Sequence, residues 1–272
     1  MREAGVSGSE CVGVFDSGVG GLSVLGEIRR ELPGIGLQYV ADSRHAPYGD
    51  KPREYVEARS LAICDFLLER GCEAIVVACN TATGAAIETL RGRYRVPIVG
   101  MEPAVKPAAE RTRSGVVGVL ATGSTLSSPK FATLRARFPE SPRILVQPCP
   151  GLVDQVEAGD LQGPITRALL AHYLAPLLRE GADVIVLGCT HYPFLAPLIW
   201  DLVPPGVQII DPSPAVSREL RRRLQLIGAK ALHRSVAKAE FWTSGSAERV
   251  APVLAQLWGA AVELRSLPAS AA

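Results

Sequence analysis

Short runs of apolar, mostly β-branched residues alternate along this chain with longer stretches in which apolar positions return every three or four residues. Runs of the first kind are apolar on both faces, as central strands of a parallel sheet must be, and stretches of the second kind are the helices that cover such a sheet. The pattern predicts strands at residues 12–15, 37–41, 74–78, 98–99, 116–121, 143–147, 184–187 and 207–210. It predicts helices over 53–70, where Val56, Ile63, Phe66 and Leu67 make one apolar stripe, and over 165–179, with Gly71 and Gly181 as stops. The fold class is therefore α/β, with mostly parallel sheets.

The chain also matches itself. Residues 67–79 align with residues 177–189 at an offset of 110, which brings Gly71 onto Gly181 and Cys79 onto Cys189. Residues 12–18 answer 117–123 at an offset of 105, and 96–103 loosely answer 207–214, so order is kept across all three matches. Two doubly wound halves related by an approximate two-fold follow from this, with a ligand site in the cleft at the carboxyl ends of their strands. A helix at 215–227, a strand at 240–243, a helix at 247–258 and a last strand at 262–264 have no counterpart in the repeat. They are expected to return and complete the first half, giving domains 1–99 plus 208–272 and 100–207.

Composition narrows the function classes. With 29 Lys and Arg against 27 Asp and Glu, the net charge of +2 provides no field for nucleic acid or an anionic membrane. The six cysteines form no C-x-x-C pair, so their spacing suggests neither a zinc site nor a redox dithiol, and reduced thiols are expected. The first residues lack a basic and apolar leader pattern, and no run approaches 18 apolar residues, so a cytoplasmic location is expected.

Cys79 and Cys189 each follow a buried strand and precede polar residues, Asn80-Thr81 and Thr190-His191, that are expected to open a helix. A helix N-terminus favours thiolate, which lowers the thiol pKa. A buried cysteine alone is only a small hydrophobe; register across the repeat singles this pair out. Two thiols facing each other across a two-fold suit a nearly symmetric reaction, in which one base removes a Cα proton and a conjugate acid delivers one to the other face. Each thiol needs a helper. Asp16 at the end of the first strand and His191 two residues after Cys189 are the candidates, although Asp16 also suits an N-cap. Gly18-Val19-Gly20 lacks the third glycine of a dinucleotide fingerprint, where Ser23 stands, and fits instead a turn that lets backbone approach a small anion. None of Lys51, Lys106, Lys130, Lys230 or Lys238 sits at a strand end in the repeat, so pyridoxal chemistry is not expected.

These motifs together resemble the glutamate racemase family. The carriers are residues 15–24 around Asp16 and the glycines, Tyr39 to Asp42 followed by Pro47-Tyr48-Gly49, residues 78–82 around Cys79, and residues 188–193 around Cys189. The resemblance implies interconversion of L- and D-glutamate without cofactor or metal, supplying D-glutamate for peptidoglycan. It implies that Cys79 takes the proton from D-glutamate and Cys189 from L-glutamate, assisted by Asp16 and His191. It also implies that Asp16, Ser17, Tyr48, Gly49, Asn80, Thr81, Thr190 and His191 hold the substrate, and it adds Glu157 as a further acid near the second half. Gly123-Ser124-Thr125 departs from the family's usual run. The stretch before Val12 is short beside the extension that some members use for activation by a cell-wall precursor, so such activation is not expected. Assembly is left open, a homodimer being one outcome.

Three other readings remain open at this point, the least favoured a zinc hydrolase, for which Cys189 and His191 make the only close Cys/His pair. A relative using paired thiols on aspartate or another small acid would differ only in pocket length. A protein-binding role would survive loss of both cysteines, but no basic or aromatic stripe suggests one.

Overall fold

The computed structural model describes residues 10–138, 141–229 and 236–272, so Lys230 lies outside the described residues. The chain runs through β1 (Cys11–Asp16), α1 (Leu22–Glu31), β2 (Gly36–Ala41), α2 (Arg53–Glu69), β3 (Ala74–Val77), α3 (Asn80–Arg93) and β4 (Ile98–Gly100). It continues with α4 (Val105–Arg111), β5 (Val116–Ala121), α5 (Gly123–Ser127), α6 (Pro129–Arg135), β6 (Arg143–Pro148), α7 (Leu152–Glu157), α8 (Pro164–Arg179), β7 (Val184–Gly188), α9 (Ala196–Leu202) and β8 (Gln208–Ile210). The last elements are α10 (Ser213–Leu226), β9 (Ala239–Thr243), α11 (Ala247–Trp258) and β10 (Leu264–Ser266).

The strands form two parallel sheets, ordered β10-β9-β2-β1-β3-β4 and β6-β5-β7-β8. The inner order β2-β1-β3-β4 of the first is reproduced by the second, strand for strand. The duplicated sequence is thus a duplicated topology, with Cys79 and Cys189 just beyond the carboxyl ends of the equivalent strands β3 and β7. Each sheet has apolar layers on both sides. Each fully buried Leu, Ile, Val or Phe in these layers contributes about 1.5–3 kcal/mol.

The repeat extends to the hydrogen bonds that end its helices. After α2, Gly71 at φ +82° lets its own N–H reach Leu68 O at 2.9 Å and Cys72 N–H reach Leu67 O at 3.1 Å. After α8, Gly181 at φ +84° gives the same pair, to Leu178 O and Leu177 O, both at 3.0 Å. A side chain is strained in that backbone region, which is why both stops are glycine. Gly13 of β1 and Gly118 of β5 are matched in the same way. A Cβ on Gly13 would meet Leu67 and Ile75 at 2.9 Å, and one on Gly118 would meet Leu177 at 2.8 Å and Ile185 at 2.9 Å.

Two expected boundaries shift. β8 pairs with β7, so residues 208–210 stay with the second sheet; the chain returns to the first half with α10, whose Val216, Leu220 and Leu224 join its core, and to its sheet with β9, which pairs with β2. The last strand begins at Leu264 rather than residue 262, because its register is set by pairing with β9, Leu264 opposite Phe241, and not by the apolar residues that precede it. Among the described residues no helix is long and apolar enough to cross a membrane.

Candidate active site

Cys79 occupies the N-cap of α3, where its sulfur accepts the N–H of Ala82 at 3.4 Å. Cys189 follows β7 directly, but no α-helix opens there. Residues Tyr192–Leu195 form a 3-10 turn instead, and α9 starts only at Ala196. Pro197 has no N–H to offer the carbonyl of Pro193, so the turn cannot run on as one α-helix. The expected pair of helix N-termini is therefore one helix and one turn.

Both thiols are nearly buried, Cys79 at 5% exposure and Cys189 at 6%, and both line one narrow cavity of about 20 Å³ between the halves. The Cys79 thiol does not rest as thiolate, contrary to the expectation from its helix. Burial pushes its pKa well above the ordinary thiol value, and the neighbouring Asp16 charge pushes the same way against the Ala82 N–H. A helix terminus is worth at most about 2 kcal/mol, too little to offset the loss of solvent around a charge in this position.

Asp16 is fully buried and does not line the cavity. One oxygen accepts the N–H of Gly21 at 2.6 Å, at the head of α1, and the hydroxyl of Thr190 at 3.1 Å, while the other accepts from Ser17 at 3.4 Å. It reaches the cavity through these hydroxyls and Cys79. Burial raises the Asp16 pKa, while His191 and Cys79 pull it down.

On the other side, Nδ1 of His191 faces the Cys189 sulfur at 3.6 Å, and Nε2 lies 2.6 Å from Glu157 Oε1. That carboxylate oxygen also accepts the N–H of Val19 at 2.8 Å, so the proton between ring and carboxylate belongs on Nε2 and Nδ1 is turned to the thiol. Burial alone would lower the His191 pKa, but the partnerships with Cys189 and Glu157 outweigh it and hold the ring well above its ordinary value.

The glycines of the Gly18–Gly21 turn are explained by these side chains. A Cβ on Gly18 would fall 1.8 Å from Glu157 Oε1, and one on Gly20 would fall 2.4 Å from His191 Nδ1. On Gly21 it would meet Asp16 Cβ at 2.7 Å. The turn is bare so that the second half can close on it, and Tyr39 steadies it with a 2.7 Å hydrogen bond to Gly18 O. Ser23 adds a 3.0 Å bond to Thr190 O across the same junction.

The remaining candidates line the cavity in different ways. Ser17 accepts weakly from Cys79 at 3.9 Å. Tyr48 contributes its ring, since its hydroxyl donates to Asp42, which also pairs with Arg59 at 2.8 Å. Gly49 accepts from Ser124 through its carbonyl, and Thr81 reaches Thr122 at 3.0 Å. Asn80 is 5% exposed, and neither its amide nitrogen nor its oxygen has a protein partner. The lining also includes Pro47, Thr122, Thr125 and Val153, which the sequence reading did not single out. For Thr122 the signal was present, because it stands where Ser17 stands in the repeat. Among the described residues no group of three or more His, Cys, Asp or Glu side chains is placed to hold a metal ion.

Comparison with known proteins gives the family of the chain. The Asp/Glu/hydantoin racemase family matches residues 18–220. Glutamate racemase from Pseudomonas aeruginosa PAO1 is 56% identical over 254 residues, 92% of this chain and 95% of that one. The crystal structure of a glutamate racemase from Bacillus anthracis superposes with a TM-score of 0.86 at 30% identity, over 96% of this chain and 98% of that one. The Escherichia coli glutamate racemase, crystallised with L-glutamate and the activator UDP-MurNAc-Ala, gives 0.84 at 34% identity, over 95% and 98%. The chain belongs to the Asp/Glu/hydantoin racemase family, on its glutamate racemase branch, and is an amino acid racemase.

Proposed function

We propose that this chain interconverts L- and D-glutamate by a two-thiol proton transfer at Cα, Cys189 serving one face of the carbon and Cys79 the other. One observation carries the reading: the sulfurs come from equivalent strands of two halves, line one cavity, and are backed by different proton-handling groups. The two enantiomers have equal free energy in water, so the catalyst needs comparable bases on both sides.

With L-glutamate bound, Nδ1 of His191, whose proton affinity is raised, holds the Cys189 proton while the Cys189 sulfur takes the Cα proton. The electron pair left on Cα collects the Cys79 proton at the opposite face, leaving Cys79 as thiolate beside Asp16. The reverse direction starts from that state. Raised proton affinity suits Cys79 to this task, since a stronger base narrows the gap to a weakly acidic C–H. The unpartnered Asn80 amide, the hydroxyls of Ser17, Thr81 and Thr190, and the N–H groups at the head of α3 provide for the ammonium and carboxylates, with Tyr48 and Gly49 closing the wall. The E. coli relative crystallised with L-glutamate supports the choice of substrate.

The same reading puts the enzyme in the cytoplasm, supplying D-glutamate for peptidoglycan. A homodimer is compatible with it and is measured by light scattering.

The test is isotopic. In deuterium oxide, racemization of L-glutamate should place deuterium at Cα of the D product, and Cys79→Ser and Cys189→Ser should each reduce kcat by about 10²- to 10⁴-fold. Each single variant should keep solvent exchange into one enantiomer only, D-glutamate for Cys189→Ser. Turnover without deuterium uptake rules out the mechanism, and equal or faster turnover of L-aspartate rules out the substrate.

A further inference from the structure

The active site uses two of the six cysteines, and a second pair meets elsewhere. Cys11, the first residue of β1, and Cys72, just before β3, lie at the amino ends of adjacent strands, on the side of the sheet away from the cavity. Their sulfurs are 3.3 Å apart, closer than two sulfurs in ordinary van der Waals contact, although 61 residues separate them in sequence. The backbone locks them there, through a 2.9 Å bond from Glu73 N–H to Cys11 O and the 3.1 Å bond from Cys72 N–H to Leu67 O. Cys11 is half-buried, whereas Cys72 is 4% exposed.

We infer that Cys11 and Cys72 form a peroxide-reactive dithiol that closes to a reversible disulfide, separate from the catalytic thiols. Three features assign the roles. Cys11 is the more exposed residue of the two, so it is the one to meet the oxidant. The hydrogen bond from Cys72 lowers the Cys11 pKa, and the Arg70 guanidinium adds to this against burial and Glu240, whereas Cys72 is held strongly protonated by the same pairing. The pair is thus a nucleophilic sulfur with a resolving thiol already in contact, which is the arrangement that makes oxidation reversible. Spacing along the chain hides it, because the pair is made by strand adjacency and not by a C-x-x-C turn.

The chemistry balances with a hydroperoxide as oxidant. The Cys11 thiolate attacks the distal oxygen, the O–O bond breaks, and the departing oxygen leaves as water or alcohol after taking a proton. Cys72 then attacks the sulfenic sulfur of Cys11. The S–O bond breaks, its oxygen leaves as water with the Cys72 proton, and the S–S bond forms. Two thiols have lost two electrons and the peroxide has gained them. The hydrogen-bond partners of Cys79 and Cys189 are Ser17 and His191, not a second thiol.

The inference does not depend on the racemase reading. Purified full-length protein is treated with graded hydrogen peroxide, alkylated with N-ethylmaleimide, digested without reductant and mapped by mass spectrometry. The expected result is a cross-linked peptide pair containing residues 11 and 72, two hydrogen atoms lighter than the separate peptides and released by dithiothreitol. Cys72→Ser should remove the cross-link and leave Cys11 as a sulfenic acid trapped by dimedone, and Cys11→Ser should leave Cys72 unmodified. Circular dichroism and basal activity confirm that both variants fold, since neither residue belongs to the catalytic machinery. Oxidation of Cys79 or Cys189 at peroxide doses that leave Cys11 and Cys72 free would overturn the proposal, as would a Cys11 that dimedone does not trap in Cys72→Ser.

Discussion

Glu157 Oε1 stands 2.6 Å from Nε2 of His191 and takes the N–H of Val19 at 2.8 Å, so one oxygen of the second half is shared by the proposed base and by the glycine turn of the first. The carboxylate fixes which ring nitrogen carries the proton and helps to hold the ring's proton affinity high. Glu157→Gln is expected to lower kcat for glutamate by about 100-fold, with KM changed much less. The two directions must fall together in kcat/KM, because the equilibrium between enantiomers is fixed. A kcat within twofold of the parent would remove Glu157 from the proton path.

Gly20→Ala tests the closeness of the halves. Its methyl carbon would come within 2.4–2.6 Å of three atoms of the His191 ring, which is held from the far side by Glu157 and cannot retreat. A displacement of about 1 Å at a reacting group costs on the order of 100-fold in rate, and that loss is expected here while the circular dichroism spectrum stays unchanged. Full activity would mean that the turn, not the ring, gives way.

Asn80→Ala separates binding from stability. A buried amide without partners is held at a cost of about 1–3 kcal/mol, so its removal should leave Tm unchanged or higher. The same change should raise KM for glutamate by about 10-fold or more, since the amide is free to pair with substrate. A lower Tm with unaltered KM would assign Asn80 to the fold instead.

Acid stability should depend on Asp183, far from the cavity. Burial works against its charge, but the Thr112 hydroxyl and the N–H groups of Arg113 and Ser114, at 2.7 and 3.0 Å, outweigh it and lower its pKa to about 2. A carboxylate depressed on folding stabilises the protein above its unfolded pKa of about 3.9, and the contribution disappears as the pH falls through the folded value. Asp183→Asn should therefore cost on the order of 1 kcal/mol at neutral pH, discounted for solvent screening, and only a small part of that near pH 2. Urea titrations at both pH values measure the difference.

How far the sequence discloses this molecule can be judged residue by residue. The offset of 110 placed Cys79 and Cys189 on equivalent strands, because a βα repeat is a local pattern and local patterns survive in one dimension. Ser17 and Thr190 were legible for the same reason. The bridge from Glu157 through His191 to Val19 spans 138 residues, and nothing in its spacing reveals the contact. The loss of solvent around Cys79 was equally hidden: a helix N-terminus reads directly from Cys79-Asn80-Thr81, whereas burial depends on everything that packs above it. The start of β10 moved because strand register answers to the neighbouring strand. Tyr48 was identified as a site residue, but its hydroxyl belongs to Asp42 and only its ring faces the cavity.

The matched glycines Gly13 and Gly118 give the back of each half a bearing on the chemistry at its front. Each lets a helix, α2 or α8, lie one methyl group closer to its sheet than any other residue would permit. Those same helices feed directly into β3 and β7, whose far ends carry the sulfurs. A methyl group at either position would press a helix off its sheet and, through the connection that follows the helix, disturb the strand that ends at a sulfur.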